Sequence, residues 1–268
     1  MNRIIERFQN LRTSGSKALV AYIGAGDPNL EATWALALAF DKAGVDVLEL
    51  GVPFSDPLAD GLVNQLAAQR GLASGTTPAG VLETVSRIRR ECAIPIVLYI
   101  YFNLLHRVGV KHFIAAAAQA GVDGLLVLDL PPEEADDYER LMKEANLCAI
   151  WLVAPTTPED RIARITQRGS GFIYYVSREG VTGMQTTIAD SIGPKVDRIR
   201  AHTQLPIAVG FGVSNADQAK VVAAAGDGVV VGSAIVSRIA EHGSSPNLVR
   251  EVAGFVQGLA AAVHAVRD

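Results

Sequence analysis

The stretch PIAVGFGVSNADQAKVVAAAGDGVVVGSA, residues 206–234, carries the pattern that decides the fold. Two short apolar runs, 207–209 and 229–231, flank a helical candidate at 216–225. Runs this short and rich in Val and Ile suit strands buried on both faces, as in a parallel sheet whose crossovers are helices. Six further runs precede them, at 18–23, 45–50, 94–101, 124–128, 149–153 and 172–176. Eight β-then-α units predict an α/β protein closed into a (β/α)8 barrel, one domain over residues 1–268. Residues 4–13 read as an extra N-terminal helix plugging the barrel bottom.

The helical candidates have legible ends. The first, 31–43, turns Leu36, Leu38, Ala39 and Phe40 inward and stops at Gly44, and 110–120 stops at Gly121. Pro78 opens 78–89, and Pro131-Pro132 opens a segment whose Glu133, Glu134, Asp136 and Asp137 suit a helix's first turn. Segments 158–168, 194–202 and 246–266 continue the series. A doubly wound open sheet is the alternative. It is disfavoured because Gly24-Ala25-Gly26-Asp27-Pro28, after the first run, is not G-x-G-x-x-G and puts proline where a helix should start.

Composition excludes several classes. Of the 268 residues 49% are hydrophobic and 19% charged, which leaves no room for wholesale disorder. Twenty-four basic residues against 28 acidic ones give a net charge of -4, and no basic stripe marks a nucleic-acid surface. No apolar stretch approaches the roughly 20 residues of a membrane span, and the charged start Met1–Arg7 lacks a signal-peptide core, so a cytoplasmic protein is expected. Cys92 and Cys148 read as small hydrophobes in a reducing compartment. His106, His112, His202, His242 and His264 show no H-x-x-x-H spacing, and no metal site is expected.

Barrels of this kind act at the C-terminal ends of their strands. In LELGVPFSDPLADG, residues 48–61, alternation places Val45, Val47 and Glu49 on one face and Leu48 and Leu50 on the other. With the leucines against the helices, Glu49 points into the mouth, where desolvation raises a carboxyl above its reference of about 4.3 and suits it to acid–base work. A Glu paired with a cation is the alternative, weakened because no basic residue lies between Lys42 and Arg70. Asp60, on the loop leaving the same strand, is the expected second carboxylate, ahead of Asp56. The glycines of Val209–Ser214 and Val231–Ala234, each leading into a helix, match a phosphate site of backbone N–H groups and helix dipole at the ends of strands 7 and 8. Residues 177–189 exceed an ordinary connection of about 2–6 residues and read as a lid over the substrate. Tyr174 and Tyr175 close the sixth run, and alternation admits only one of them to the interior.

The blocks LELGVPFSDPLADG (48–61), AGDP (25–28), DLPPEE (129–134), YYVSREGVTG (174–183), VGFGVS (209–214) and VVVGSAIV (229–236) together resemble the tryptophan synthase alpha subunit family, in order and over nearly the whole chain. The resemblance implies a TIM-barrel lyase of tryptophan biosynthesis that cleaves indole-3-glycerol phosphate to indole and glyceraldehyde 3-phosphate. It implies no cofactor in this chain, and a pyridoxal-phosphate-dependent beta subunit that receives indole in an alpha2beta2 assembly. By resemblance Glu49 is the proton shuttle, Asp60 accepts the indole N–H, and Tyr174 is the active-site tyrosine. Thr182 would position Asp60; Gly183, Phe211, Gly212, Gly232 and Ser233 would line the phosphate and glycerol end; Tyr22, Ile100, Asp129 and Ile173 are pocket or support candidates. Pro53, Phe54, Asp56 and Asn103 would face the partner.

Two positions depart from the family pattern. Leu62 stands where proline is usual, which should loosen the segment behind Asp60, and Asn64 stands where an aliphatic contact to indole is usual, bringing an amide that needs a hydrogen-bond partner. Three other readings compete: another phosphate-site barrel, whose extra strand-end Lys, Cys or acid is missing; a non-catalytic activator of a beta subunit; and a stand-alone indole-releasing enzyme.

Overall fold

The structure, a computed structural model, describes residues 1–176 and 185–267. Its strands are β1 (Ala18–Gly24), β2 (Val47–Gly51), β3 (Ile96–Ile100), β4 (Gly124–Val127), β5 (Cys148–Val153), β6 (Ile173–Val176), β7 (Ile207–Gly210) and β8 (Gly228–Val231). They pair in parallel, in chain order, and β8 returns to β1 to close the barrel. Around and between them lie α1 (Arg3–Thr13), α2 (Leu30–Ala43), α3 (Leu62–Ala73), α4 (Pro78–Arg89), α5 (Phe102–Val108), α6 (Val110–Ala120), α7 (Asp136–Glu144), α8 (Glu159–Arg168), α9 (Gln185–Arg200), α10 (Ala216–Ala225), α11 (Ser233–His242) and α12 (Leu248–His264). Among the described residues no helix is long and apolar enough to cross a membrane.

Strand alternation sorts the core into two bodies. The outward set, including Leu19, Leu48, Leu98 and Val229, packs beneath the helices, while the inward set, including Val20, Val47, Val97, Ile150 and Val230, fills the barrel. Helix α1 closes the bottom as expected: Ile4 and Phe8 are buried among the inward set, with the Phe8 and Phe172 rings 5.4 Å apart. Gly44 and Gly121 end α2 and α6 at φ 91° and 92°, a left-handed turn that costs glycine little.

One device recurs at the bottom. Asp46, Asp123 and Asp227 each stand just before an even-numbered strand. Each accepts the backbone N–H of one residue on the preceding strand (Leu19, Ile96 and Ile207) at 2.8 Å and returns its own N–H to that residue's carbonyl. Ser170 does the same to Ala149. Each stitch satisfies both polar groups of a residue at the strand's start, where the ladder does not yet reach.

The chain differs from its reading in several places. Val45 packs with the outward set because its N–H still caps α2 through Phe40 and the strand begins only at Val47. Leu38 and Ala39 are half-buried, whereas Leu36, Ala37 and Phe40 are buried. The acidic segment is a 3-10 turn, Pro132–Glu134, followed by α7. Helices α3 and α5 were not anticipated. Pro194 lies inside α9 rather than at its start, so residues 185–189 of the expected lid are helical; Ile192, Val196 and Ile199 are buried beside it, and that packing outweighs the proline's missing N–H. Residues 177–184 of that lid lie outside the described residues.

Candidate active site

Glu49 points into the barrel. It is 2% exposed, between Leu48 and Leu50 of the outward layer, with Tyr22 and Val97 beside it in register on β1 and β3. No basic side chain among the described residues forms an ion pair with it. Burial first, and the neighbouring charge of Asp60 second, push its carboxyl up to about 8. A carboxyl so placed holds a proton at neutral pH and can give it away.

Asp60 sits half-buried on the irregular loop between β2 and α3. The Tyr99 hydroxyl donates to its Oδ1 at 2.7 Å, and the Tyr101 hydroxyl donates to its Oδ2 at 2.8 Å while accepting the Ala59 N–H at 3.0 Å. The loop has a further brace where proline was missed: Leu62 opens α3, and the Gln65 amide donates to the Asp60 carbonyl at 2.9 Å. Behind it, a two-toothed Arg70–Asp27 ion pair, both contacts 2.7 Å, fastens α3 to the loop after β1. Asn64 justifies the concern about its amide, since its Oδ1 is buried with no hydrogen-bond partner. It shares with Asp60, Tyr22, Tyr99, Tyr101 and Phe54 a cavity of about 10 Å³, room for about one water and too little for a bicyclic ring.

Tyrosines and glycines shape the rest of the mouth. Tyr22 is buried edge-on against Tyr99, with centroids 5.1 Å apart at 71°. Gly51 makes this possible, because a Cβ there would strike the Tyr22 hydroxyl. Of the two tyrosines on β6, Tyr174 packs with the inward set and Tyr175 with the outward one. A Cβ on Gly210 would come within 2.8 Å of the Tyr174 ring. Burial and both carboxylates raise the Tyr22 and Tyr174 hydroxyls well above the usual phenol range, so both remain proton donors. Across the mouth, Gly212 follows β7 at φ 63°, and Gly232 caps α11 with no side-chain hydrogen bond, ahead of an exposed Ser233.

Other expected residues lie elsewhere. Ile100 and Ile173 are fully buried in the outward layer, so neither lines the mouth, while Phe211, just after β7, is buried against the same layer. The reason is the two-residue period of strands, which sends Tyr99 and Tyr174 inward and turns their neighbours out. Pro53 is buried against Gly71 of α3 and presents no surface to a partner. Phe54 is half-buried with its ring 5.0 Å from that of Tyr101, while Asp56 and Asn103 are exposed. Asp129 is a support: its Oδ1 accepts the Phe102 N–H at the start of α5 at 2.6 Å. Thr182 and Gly183 lie outside the described residues. Tyr99 and Tyr101 were missed, although alternation carried along 96–101 would have pointed both inward.

A proton-carrying carboxyl beside an oriented carboxylate, at the C-terminal mouth of a closed (β/α)8 barrel, places the protein among barrel enzymes that do acid–base chemistry on small molecules. The family model for the tryptophan synthase alpha chain matches residues 8–264. The chain is 52% identical over 258 residues to the tryptophan synthase alpha chain of Opitutus terrae, covering 96% of this chain and 97% of that one. It is 48% identical over 266 residues to that of Geotalea uraniireducens, covering 99% of both. Among solved structures, tryptophan synthase subunit alpha from Legionella pneumophila superposes with a TM-score of 0.91 at 35% identity, covering 99% of this chain and 100% of that one. A chain of Mycobacterium tuberculosis tryptophan synthase gives 0.88 at 31%, covering 98% and 99%. The chain belongs to the tryptophan synthase alpha chain family and is a lyase that cleaves indole-3-glycerol phosphate in tryptophan biosynthesis.

Proposed function

We propose that Glu49 carries the proton of this reaction and that Asp60 steadies the charge it creates. Indole is a poor leaving carbanion. Transfer of the Glu49 proton to indole C3 turns the ring into an electron sink whose nitrogen bears positive charge, and Asp60 accepts the N–H. The Glu49 carboxylate then takes the proton of the hydroxyl on the carbon attached to C3. That carbon becomes the aldehyde of glyceraldehyde 3-phosphate, the C–C bond breaks, and its electrons return to the ring as indole. Glu49 ends protonated, so the cycle balances without an external acid or base. The observation that carries this assignment is the unpaired, buried Glu49 with its carboxyl raised to about 8.

The phosphate binds at the bare N–H groups that follow Gly212 and Gly232, with Ser233 beside them, where the α11 dipole favours an anion. Tyr174 donates its hydroxyl to the glycerol end. A beta subunit docks on the rim beside Asp60 in an alpha2beta2 assembly. Leu58 is 82% and Leu62 70% exposed there, a pairing of apolar side chains with water that supports a partner, and half-buried Phe54 and exposed Asp56 belong to the same loop. Pyridoxal phosphate resides in that partner, and this chain works without a cofactor. The free thiols Cys92 and Cys148 accord with the cytoplasm. The test is indole release from indole-3-glycerol phosphate by the purified chain, with and without a beta subunit. Release that rises with the beta subunit is expected; a chain that only stimulates the partner, releasing no indole in either case, overturns the assignment.

A further inference from the structure

We infer that Tyr99 is a positioning residue for Asp60, an inference that rests on the role proposed above for that carboxylate. Asp60 belongs to a loop with no regular structure, bordered by exposed Ala59 and Gly61, so the loop's own backbone offers little to hold its side chain. Orientation comes from the neighbouring strand. Tyr99 is carried on β3, in register with Gly51 of β2 and Leu126 of β4, and its hydroxyl reaches Asp60 Oδ1 at 2.7 Å. Tyr101 takes the other oxygen at 2.8 Å, but it also accepts the Ala59 N–H, so it secures backbone and side chain together. Among the described residues the Tyr99 hydroxyl hydrogen-bonds to the carboxylate alone. One donor on each oxygen defines the plane of the group, and each oxygen keeps a second acceptor position for a ring N–H.

The Tyr99 ring cannot easily leave this position. It stands edge-on to buried Tyr22, whose own seat exists because residue 51 has no Cβ. Tyr99, braced on a glycine-seated Tyr22, thus forms a shelf under a loop-borne carboxylate, the arrangement that preorganises a charge-stabilising group before substrate arrives. The Tyr99 hydroxyl itself is raised well above the usual phenol range by burial and by Asp60, so it stays a donor.

The experiment is a double-mutant cycle on the whole chain with its beta subunit, reading indole release and thermal midpoint. Tyr99→Phe keeps the ring against Tyr22 and removes one hydrogen bond to a charged group. It is expected to lower kcat about tenfold with KM and Tm little changed. On an Asp60→Asn background the same substitution should lower kcat no further, because the group it positions has lost its charge. Tyr99→Leu, which removes the ring as well, should match Tyr99→Phe in kcat while lowering Tm. Equal fold-losses in both backgrounds, or a Tyr99→Phe enzyme as active as the parent, would overturn the inference. If the parent itself released no indole, the functional reading would fail instead. Crystal structures of parent and Tyr99→Phe would still decide the inference, which requires a shifted or split Asp60 side chain in the variant.

Discussion

The carboxylates of the barrel's mouth, Glu49 and Asp60, and those at its bottom are used in opposite ways, while Asp27 at the top, paired with Arg70, sides with the bottom set. At the bottom, Asp46, Asp123 and Asp227 each hold a strand's backbone N–H and a cation: Arg7 beside Asp46, which His264 also meets in a hydrogen bond, Arg3 and Arg89 around Asp123, Arg200 beside Asp227. At the top, Glu49 has burial without a cation, and Asp60 has two neutral hydroxyls. Burial alone does not distinguish the two sets, because Asp46, Asp123 and Glu49 are all at most 2% exposed. Partners do. A compensated buried charge braces the fold, whereas an uncompensated one keeps its proton and has it to give.

The hardest test of this contrast is Glu49→Gln, which keeps shape and removes only the titrating proton. Indole release should fall about a thousandfold while a non-cleavable indole-alkyl phosphate still binds; retained turnover would break the comparison at once. The same variant carries a stability signature of definite sign. The native carboxyl holds its proton to about pH 8, whereas in the unfolded chain it loses it near 4.5. Between those values the native state binds more protons, so the parent loses stability as pH rises through the window and the Gln variant does not. Denaturant melts of the pair should coincide near pH 4 and separate progressively up to pH 8, with the parent the weaker. Turnover adds a third reading: kcat/KM should hold up to about pH 8 and decline above it, and Asp60→Asn should move that limb to lower pH by removing the second cause of the shift.

The opposite end predicts the opposite phenotype. Asp123→Asn leaves Arg89, whose side chain is 10% exposed, without its carboxylate, and burial already disfavours that guanidinium's charge. Loss of one member of a buried pair should cost about 3 kcal/mol in urea unfolding, with the turnover of folded molecules unaltered. A bottom-face variant that lost turnover but kept stability would show that the division of labour is wrong.

Much of this was legible in the residues, for reasons that also explain the misses. Alternation across 45–50 put Glu49 inside because a strand buried on both faces leaves each side chain only two directions. The same rule, followed along 96–101, turns Ile100 out and selects Tyr99; Ile100 and Ile173, pocket or support candidates by resemblance alone, each stand one residue out of phase with an inward tyrosine, and one residue exchanges the faces. The bottom stitches also have a mark in the sequence, since Ala-Gly-Val-Asp occurs at 43–46 and again at 120–123, a helix stop followed by the stitching aspartate. The place of Pro194 inside α9 was not readable, because it depends on what distant segments pack against it. So does the Tyr99–Asp60 bond, which joins residues 39 positions apart.

Asn64 gives the smallest and most discriminating effect. Its Oδ1 lies unpartnered in the cavity that Asp60 shares, on the first turn of α3. A buried acceptor without a donor has given up water for nothing, so Asn64→Leu should stabilise the fold by about 1 kcal/mol. At the bottom of the barrel no such gain is available, since the stitching carboxylates are already satisfied. Were the variant less stable than the parent, a water in the cavity would have to be satisfying the amide. The rule that the catalytic end tolerates unmet polar groups would then hold for Glu49 alone.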